Sequence, residues 1–387
     1  MLKSKSQIRR AFVLLLILAA LMLGACQAAE PLKLPENAEI DAAAAGALAV
    51  DALSAQIAER HDRYAIYYTP EEYAELFRSV SGSYSGIGVY IYPDEAGRAM
   101  VYGVMKGGPA YEAGVLPGDV FLRLNGDDLS SLTYDEVADS LLGFVAGTQL
   151  ELTFLRPDDG EVVIKLKTAK VEIPTVESVM LDDEVGLIKI SSFNMTTGEQ
   201  FTTAYNDLAE QGMQGLILDL RDNGGGEINS ALQVCNYFVP DGEPMMYITD
   251  SDGVYYYTSN RAATDLPVVI LQNGHTASAS EVVIGAAHDC GMATLIGETT
   301  YGKGIVQDLQ QLDSGAGLRF TSAKYSTAHK NDIHGVGIVP DIVFPMPEDA
   351  DNLAAYTMEP EQDTQLAKAV AVLAEKMVAK SNENQTN

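Results

Sequence analysis

The chain has 387 residues, enough for two or three folded domains with real cores, and 47% of them are apolar. Its 54 acidic and 25 basic side chains leave a net charge of −29. That balance excludes a nucleic-acid binder, which needs a basic face.

Lys3, Lys5, Arg9 and Arg10 precede the apolar run AFVLLLILAALML, which is short for a mature spanning helix. The run ends in LGAC at 23–26. A small pair before a cysteine resembles the lipobox of bacterial lipoproteins. It implies a signal peptide over 1–25, acylation of Cys26, and an extracytoplasmic protein held at a bacterial membrane by acyl chains. An uncleaved signal anchor is the alternative. Residues 26–40 are polar and proline-punctuated and suit a tether; the alanine-rich stretch 41–80 is predicted helical and is a candidate dimerisation element. Cys235 and Cys290 sit in apolar helical contexts and read as buried thiols, although an extracytoplasmic protein could pair them.

Residues 81–168 change character. GIGVYIY and RAMVYGV alternate as paired strands, VFLRLNGDDL carries an Asn-Gly turn, and a helix from Tyr134 to Leu142 precedes the strand QLELTFLR. The intervening string GGPAYEAGVLPGD resembles the PDZ-domain signature of bacterial proteases. The resemblance implies a module that captures extended C-termini by strand addition. A loop of backbone amides would hold the carboxylate, here Gly86, Ile87 and Gly88.

From 169 to 347 strands and helices alternate, which predicts crossover units and a largely parallel sheet with functional loops at the strand ends. Two glycine-bearing loops sit there: RDNGGGE after LILDL, and QNGHTAS after PVVIL. The tail, 348–387, is acidic and then helical.

Ser278 with Glu281 fits the S-x-x-E box that opens helices, so a cap and a nucleophile compete for one serine. A nucleophile needs a base. Among the five histidines, His275 reads as a loop residue and His334 as a weak candidate. Lys303, between Gly302 and Gly304, is the better one, provided burial lowers its pKa from about 10.4 toward about 7–8. The near P-loop GETTYGKG has Gly304 where a magnesium-binding hydroxyl is required, which removes nucleotide binding.

TASASE, Asp289, TYGKGIVQ and GVGIVPDIVF together resemble the C-terminal processing peptidases, also called tail-specific proteases, and LDLRDNGGG is similar to their LDLRxNPGG loop. The resemblance covers roughly 80–347. It implies a mixed α/β (α+β) chain: a helical N-terminal segment, a PDZ domain, and an α/β serine-protease core. It further implies an endopeptidase acting on protein or peptide substrates with free C-termini, needing no cofactor or metal. Ser278 would be the nucleophile, Lys303 the general base and Gln307 the residue that orients it. The amides of Gly225 and Ala279 would form the oxyanion hole, with Asp289 structural; Ser280 or Thr276 would then cap the helix. Gly224 replaces the family proline, so a resting state with an incomplete hole is expected. A non-catalytic PDZ scaffold and a Ser-His hydrolase are the other readings.

Overall fold

The computed structural model of the protein describes residues 62, 64–181, 184–346 and 363–386. The expected signal segment, Cys26, the expected tether, residues 41–61 and the acidic run 348–362 lie outside the described residues.

Thr69 and Pro70 start the first helix for local reasons. The Glu72 N–H donates to the Thr69 hydroxyl at 3.2 Å, the Glu72 carboxylate reaches back to the Thr69 N–H at 2.8 Å, and Pro70 sits where no N–H is required. This helix, α1 (Pro70–Ser81), ends at Gly82 in the left-handed region, φ 69°. Ahead of it, β1 (Ile66–Tyr68) interrupts the stretch expected to be helical. Its β-branched and aromatic residues pair antiparallel with Arg319, Leu318 and Gly317, a partner far outside any local pattern.

After β2 (Ser83–Gly86), the strands β3 (Val89–Pro93), β4 (Ala99–Val104), β5 (Val120–Leu124), β6 (Asp127–Asp128), β7 (Gln149–Arg156) and β8 (Gly160–Lys167) build one antiparallel sheet in the order β3-β4-β5-β7-β8. Helices α2 (Pro109–Glu112) and α3 (Tyr134–Ser140) accompany it. Asn125 and Gly126 both take positive φ, 53° and 96°, as a tight Asn-Gly turn requires. Phe121 and Phe154, ring centroids 4.8 Å apart, anchor the core of this module. The strand β9 (Ala169–Glu172) then returns beside β2, zipping entry to exit.

The remaining chain forms two sheets. The first contains β10 (Val176–Leu181), β11 (Val185–Ile190), β12 (Gly215–Asp219), β15 (Val268–Gln272), β16 (Ala293–Gly297) and β19 (Ile342–Val343), parallel except between β10 and β11. Strands β11, β12 and β15 are buried along their whole length and read as largely apolar runs, interrupted within β11 by Lys189, because both faces are covered. Ile188, Leu216, Leu218 and Ile270 pack under α4 (Thr197–Glu210), α5 (Ile228–Cys235) and α6 (Ala279–Asp289). The alternate residues Leu187, Ile217, Val269 and Leu271 meet Leu366, Ala369 and Leu373 of α7 (Thr364–Thr386). The second sheet joins β1 to β13 (Pro244–Thr249), β14 (Val254–Thr258), β17 (Ile305–Gln311) and β18 (Gly317–Thr327). Among the described residues no helix is long and apolar enough to cross a membrane.

Candidate active site

Loops converge beyond the carboxyl ends of β11, β12 and β15, where parallel sheets leave a crevice. The Phe193 N–H donates to the Gly225 carbonyl at 3.0 Å, and the Glu227 N–H to the Phe193 carbonyl at 2.8 Å. The Asn223 carbonyl accepts from the Ala277 N–H and from Ser280 Oγ, each at 3.0 Å. Thr276 Oγ1 donates to the Leu220 carbonyl at 2.9 Å. Ser280 and Thr276 therefore fasten loops together, and neither caps α6 as anticipated.

Ser278 stands at the entrance of α6 with φ 57° and ψ −118°, a conformation that costs a non-glycine residue about 1–3 kcal/mol. Its surroundings hold it there. Its N–H donates to Glu281 Oε2 at 2.8 Å, and its carbonyl accepts the Tyr325 hydroxyl at 2.9 Å. The Ala279 amide follows in the first turn, where helix N–H groups lack intrahelical partners and the dipole favours negative charge.

Glu281 does more than start a helix. Fully buried, its carboxylate also accepts the Lys303 N–H on Oε2 at 2.8 Å, and on Oε1 the Gly302 N–H at 2.7 Å and the Thr300 hydroxyl at 2.5 Å. The backbone nitrogens of Ser278 and Lys303 thus share a single oxygen, so the two loops meet at one carboxylate. The Lys303 side chain is half-buried. Burial pushes its amine below the usual lysine range, the nearby Arg319 charge pushes the same way, and Glu281 opposes both.

The glycines flanking Lys303 are needed for close approach. A Cβ on Gly302, φ +84°, would lie 2.6 Å from the Gly337 nitrogen, and one on Gly304 would lie 3.0 Å from the His334 backbone nitrogen. Gly225 is tighter still: with φ +94°, an added Cβ would lie 2.8 Å from the Ala279 nitrogen and 2.8 Å from Ser278 Cβ. Its own N–H, however, donates to Asn223 Oδ1 at 2.9 Å. In this state the Gly225 amide is engaged inside its loop, because the Asn223 side chain, held on the Ile190 carbonyl at 2.8 Å, presents an acceptor two residues upstream.

Ser278, Lys303, Gly225 and Ala279 are thus brought together; Gln307 is oriented differently. A bulge between Val306 and Gln307 turns its side chain, and Nε2 donates to the Tyr64 carbonyl at 2.9 Å. His275 is an exposed loop residue whose N–H bonds Asn273 Oδ1 at 3.1 Å. His334 packs on Gly304 and edge-on to Tyr64, centroids 6.1 Å apart. Asp289 holds the Thr327 hydroxyl at 2.5 Å and the His329 N–H at 2.6 Å, tying the end of α6 to the loop after β18. Tyr325 and Arg319 carry no local signal that would have marked them. Asn223 and Glu281 lie inside the LDLRDNGGG and TASASE strings, but those strings assign Asn223 no role and Glu281 only that of a helix cap.

In the smaller module, Gly86 ends β2 rather than standing in a free loop, since Ser85 and Gly86 pair with Lys170 and Ala169. Ile87 is buried and Gly88 has φ 78°. Beside them a cavity of about 240 Å³ is lined by Tyr84, Ile87, Val89, Ile91, Leu141 and Arg78 among others. The strand β3 beside it ends the sheet order and keeps one edge unpaired within that sheet. Cys235 and Cys290 are free thiols, the first buried and the second partly so.

Residues 184–344 match peptidase family S41 and residues 100–156 match a PDZ domain. The chain belongs to peptidase family S41, among the carboxyl-terminal processing proteases. It is 33% identical over 300 residues to the carboxy-terminal processing protease CtpA of Bacillus subtilis, covering 77% of this chain and 64% of that one. It is 32% identical over 336 residues to the carboxyl-terminal-processing protease of a Picosynechococcus species, covering 84% and 79%. The chain therefore spans slightly under two thirds of the length of the first of these relatives. An S41 protease structure from Bacteroides fragilis shares the fold, with a TM-score of 0.50, 19% identity, and coverage of 91% of this chain and 93% of that one.

Proposed function

We propose that the protein is a serine endopeptidase, lipid-anchored outside the cytoplasm, that cleaves protein substrates with a Ser278–Lys303 pair. The reading is carried by the shared Glu281 oxygen that places the Ser278 and Lys303 backbones side by side. Burial favours the neutral form of the Lys303 amine, and in that form it takes the Ser278 hydroxyl proton as Oγ attacks the scissile carbonyl. The oxyanion is met by the Ala279 N–H and by the Gly225 N–H once the latter leaves Asn223 Oδ1. As the C–N bond breaks, the ammonium returns the proton to the leaving amine. Water then attacks the acyl-Ser278 ester, giving its proton to Lys303, which passes it to Ser278 Oγ as the ester C–O bond breaks and the carboxylic acid departs. Gln307 would orient Lys303 after releasing Tyr64.

The apolar cavity beside β3 supports a PDZ function in which the substrate's last side chain enters among Ile87, Val89, Ile91 and Leu141 while its backbone adds to β3. The amides near Gly88, together with Arg78, suit the terminal carboxylate. Occupancy of this groove would gate the catalytic site. The membrane anchor rests on the apolar leader and Cys26.

The test is cleavage of an unfolded protein with an apolar C-terminus, with fluorophosphonate labelling in parallel. Wild type should cleave and label, Ser278→Ala should do neither, and Lys303→Ala should not cleave. Full activity in Lys303→Ala would return the Ser-His reading, to be decided by replacing His275 and His334 in turn.

A further inference from the structure

The helix α7 lies beyond the segment that matches the peptidase family, 184–344, yet it supplies partners to a buried cation at the root of the glycine loop. Arg221 follows β12 and leads directly into Asp222 and Asn223. Its guanidinium has five N–H donors, and all five are used. Nε bonds Asp219 Oδ1 at 2.9 Å; Nη2 bonds Asp219 Oδ2 at 2.7 Å and Asp363 Oδ2 at 2.6 Å; Nη1 bonds Asp363 Oδ1 at 3.1 Å and Gln365 Oε1 at 3.0 Å. Every one of these side chains is buried. Asp363 also opens α7, accepting the Leu366 N–H on Oδ1 at 2.9 Å, while Gln365 Nε2 donates to the Phe344 carbonyl at 2.6 Å.

From this bolt to the candidate nucleophile the path is short. The Asp222 N–H donates to Asn273 Oδ1 at 3.1 Å, the Asn223 carbonyl holds Ala277 and Ser280 on either side of Ser278, and Asn223 Oδ1 holds the Gly225 N–H. Where Arg221 is fixed, the glycine loop is fixed. Without Asp363 the guanidinium keeps the Asp219 carboxylate and the single Gln365 oxygen, losing the two-oxygen clamp on Nη1 and Nη2 that fixes its far side. A displacement of about 1 Å in a positioning group can cost on the order of 10²-fold in rate.

We propose that Asp363, assisted by Gln365, is a positioning residue of the peptidase. The C-terminal helix fixes Arg221, and through it the Asn223–Gly225 loop against Ser278. This rests on the reading of Ser278 as nucleophile and of the Gly225 amide as oxyanion donor.

The experiment uses the full chain and a fluorogenic peptide, at a temperature well below the melting of every variant. Asp363→Ala should lower kcat about 30-fold or more with KM within about twofold, and weaken a peptide boronate, which forms the tetrahedral adduct, in proportion. Arg221→Met with Asp363→Ala should be no worse than Arg221→Met alone. Leu373→Ala, which loosens α7 on the sheet without touching Arg221, should lower the melting temperature while keeping kcat within about twofold. Wild-type kcat in folded Asp363→Ala would overturn the proposal. So would a kcat loss that merely tracks melting temperature across Asp363→Ala and Leu373→Ala. Where Asp363→Ala fails to fold, Asp363→Asn, which keeps the cap and one acceptor, should show a smaller loss in both kcat and boronate affinity; no loss there is equally fatal. Activity surviving Ser278→Ala would instead sink the underlying reading, which separates the two failures.

Discussion

The Gln307 side-chain amide donates to the Tyr64 carbonyl at 2.9 Å, tying β17 to the residues ahead of β1. Asp62 fastens the same stretch, accepting the Thr321 N–H at 2.7 Å and the Thr321 hydroxyl at 3.0 Å. Burial raises the Asp62 carboxyl, but the bonds from Thr321 and Tyr64 outweigh it and hold the group below the usual range. A depressed carboxylate stabilises the latch fully above its ordinary pKa, and the contribution is lost as pH falls through the depressed value. Asp62→Ala should free Tyr64 and let Gln307 turn to Lys303, raising kcat/KM a few-fold at neutral pH. Fluorophosphonate labelling of Ser278 should quicken alongside. An unchanged rate in the folded variant would make the arm a strap and nothing more.

Lys303 gives a pH dependence of known sign. Its amine is lowered first by burial and then by Arg319, with Glu281 opposing. A base must be deprotonated, so kcat/KM should rise with pH through a midpoint below the ordinary lysine value of about 10.4. Between the depressed and ordinary values the unfolded chain binds more protons, so this lysine makes stability rise with pH in that window. Arg319→Met removes a like charge and should move the acid limb to higher pH, leaving the high-pH plateau in place. Arg319 Nε has no hydrogen-bond partner among the described residues, so its loss strands little. An acid limb that stays put would show that Arg319 does not act on the base.

Adjacent glycines should respond oppositely to one methyl group. A Cβ at Gly224 meets nothing within 4 Å, whereas one at Gly225 runs into Ala277, Ser278 and Ala279 in the left-handed region. Gly224→Ala should fold with stability within about 1 kcal/mol of wild type and retain cleavage. Gly225→Ala should lose about 10²–10³ in kcat, the usual cost of an oxyanion donor. Thermal melts and steady-state rates on both variants decide it.

Local patterning made the elements around the site readable, and long-range partners stayed hidden. Strands β11, β12 and β15 stood out as apolar runs because helices cover both faces, and α6 followed from its cap and its apolar stretch. The Asn125–Gly126 turn needed only two residues. By contrast Gln307 meets Tyr64 across 243 positions, and Arg221 meets Asp363 across 142. No spacing rule reaches that far. β1 was hidden for the same reason, its partner strand lying near residue 318. Glu281 was concealed differently: S-x-x-E describes a helix cap fully, so nothing local announces that the same carboxylate also gathers a distant lysine loop.

That carboxylate allows the sharpest test of the site's assembly. Glu281→Gln replaces one acceptor oxygen with an amide that must face N–H groups. If it faces Oε2's partners, Ser278 and Lys303 are orphaned; if it faces Oε1's, Thr300 can rotate its hydroxyl to accept but Gly302 cannot. Either way at least one buried donor is stranded, a cost of roughly 1–3 kcal/mol, with the lost charge-assisted bonds added to it. The melting temperature should fall and kcat should drop by on the order of 10²-fold as Ser278 and Lys303 move apart. Because the lost charge had favoured the Lys303 ammonium, the acid limb of any residual activity should shift to lower pH, opposite to Arg319→Met. Lowered stability with kcat intact would reduce Glu281 to a cap, while opposed shifts in the two variants would place both charges beside the same amine.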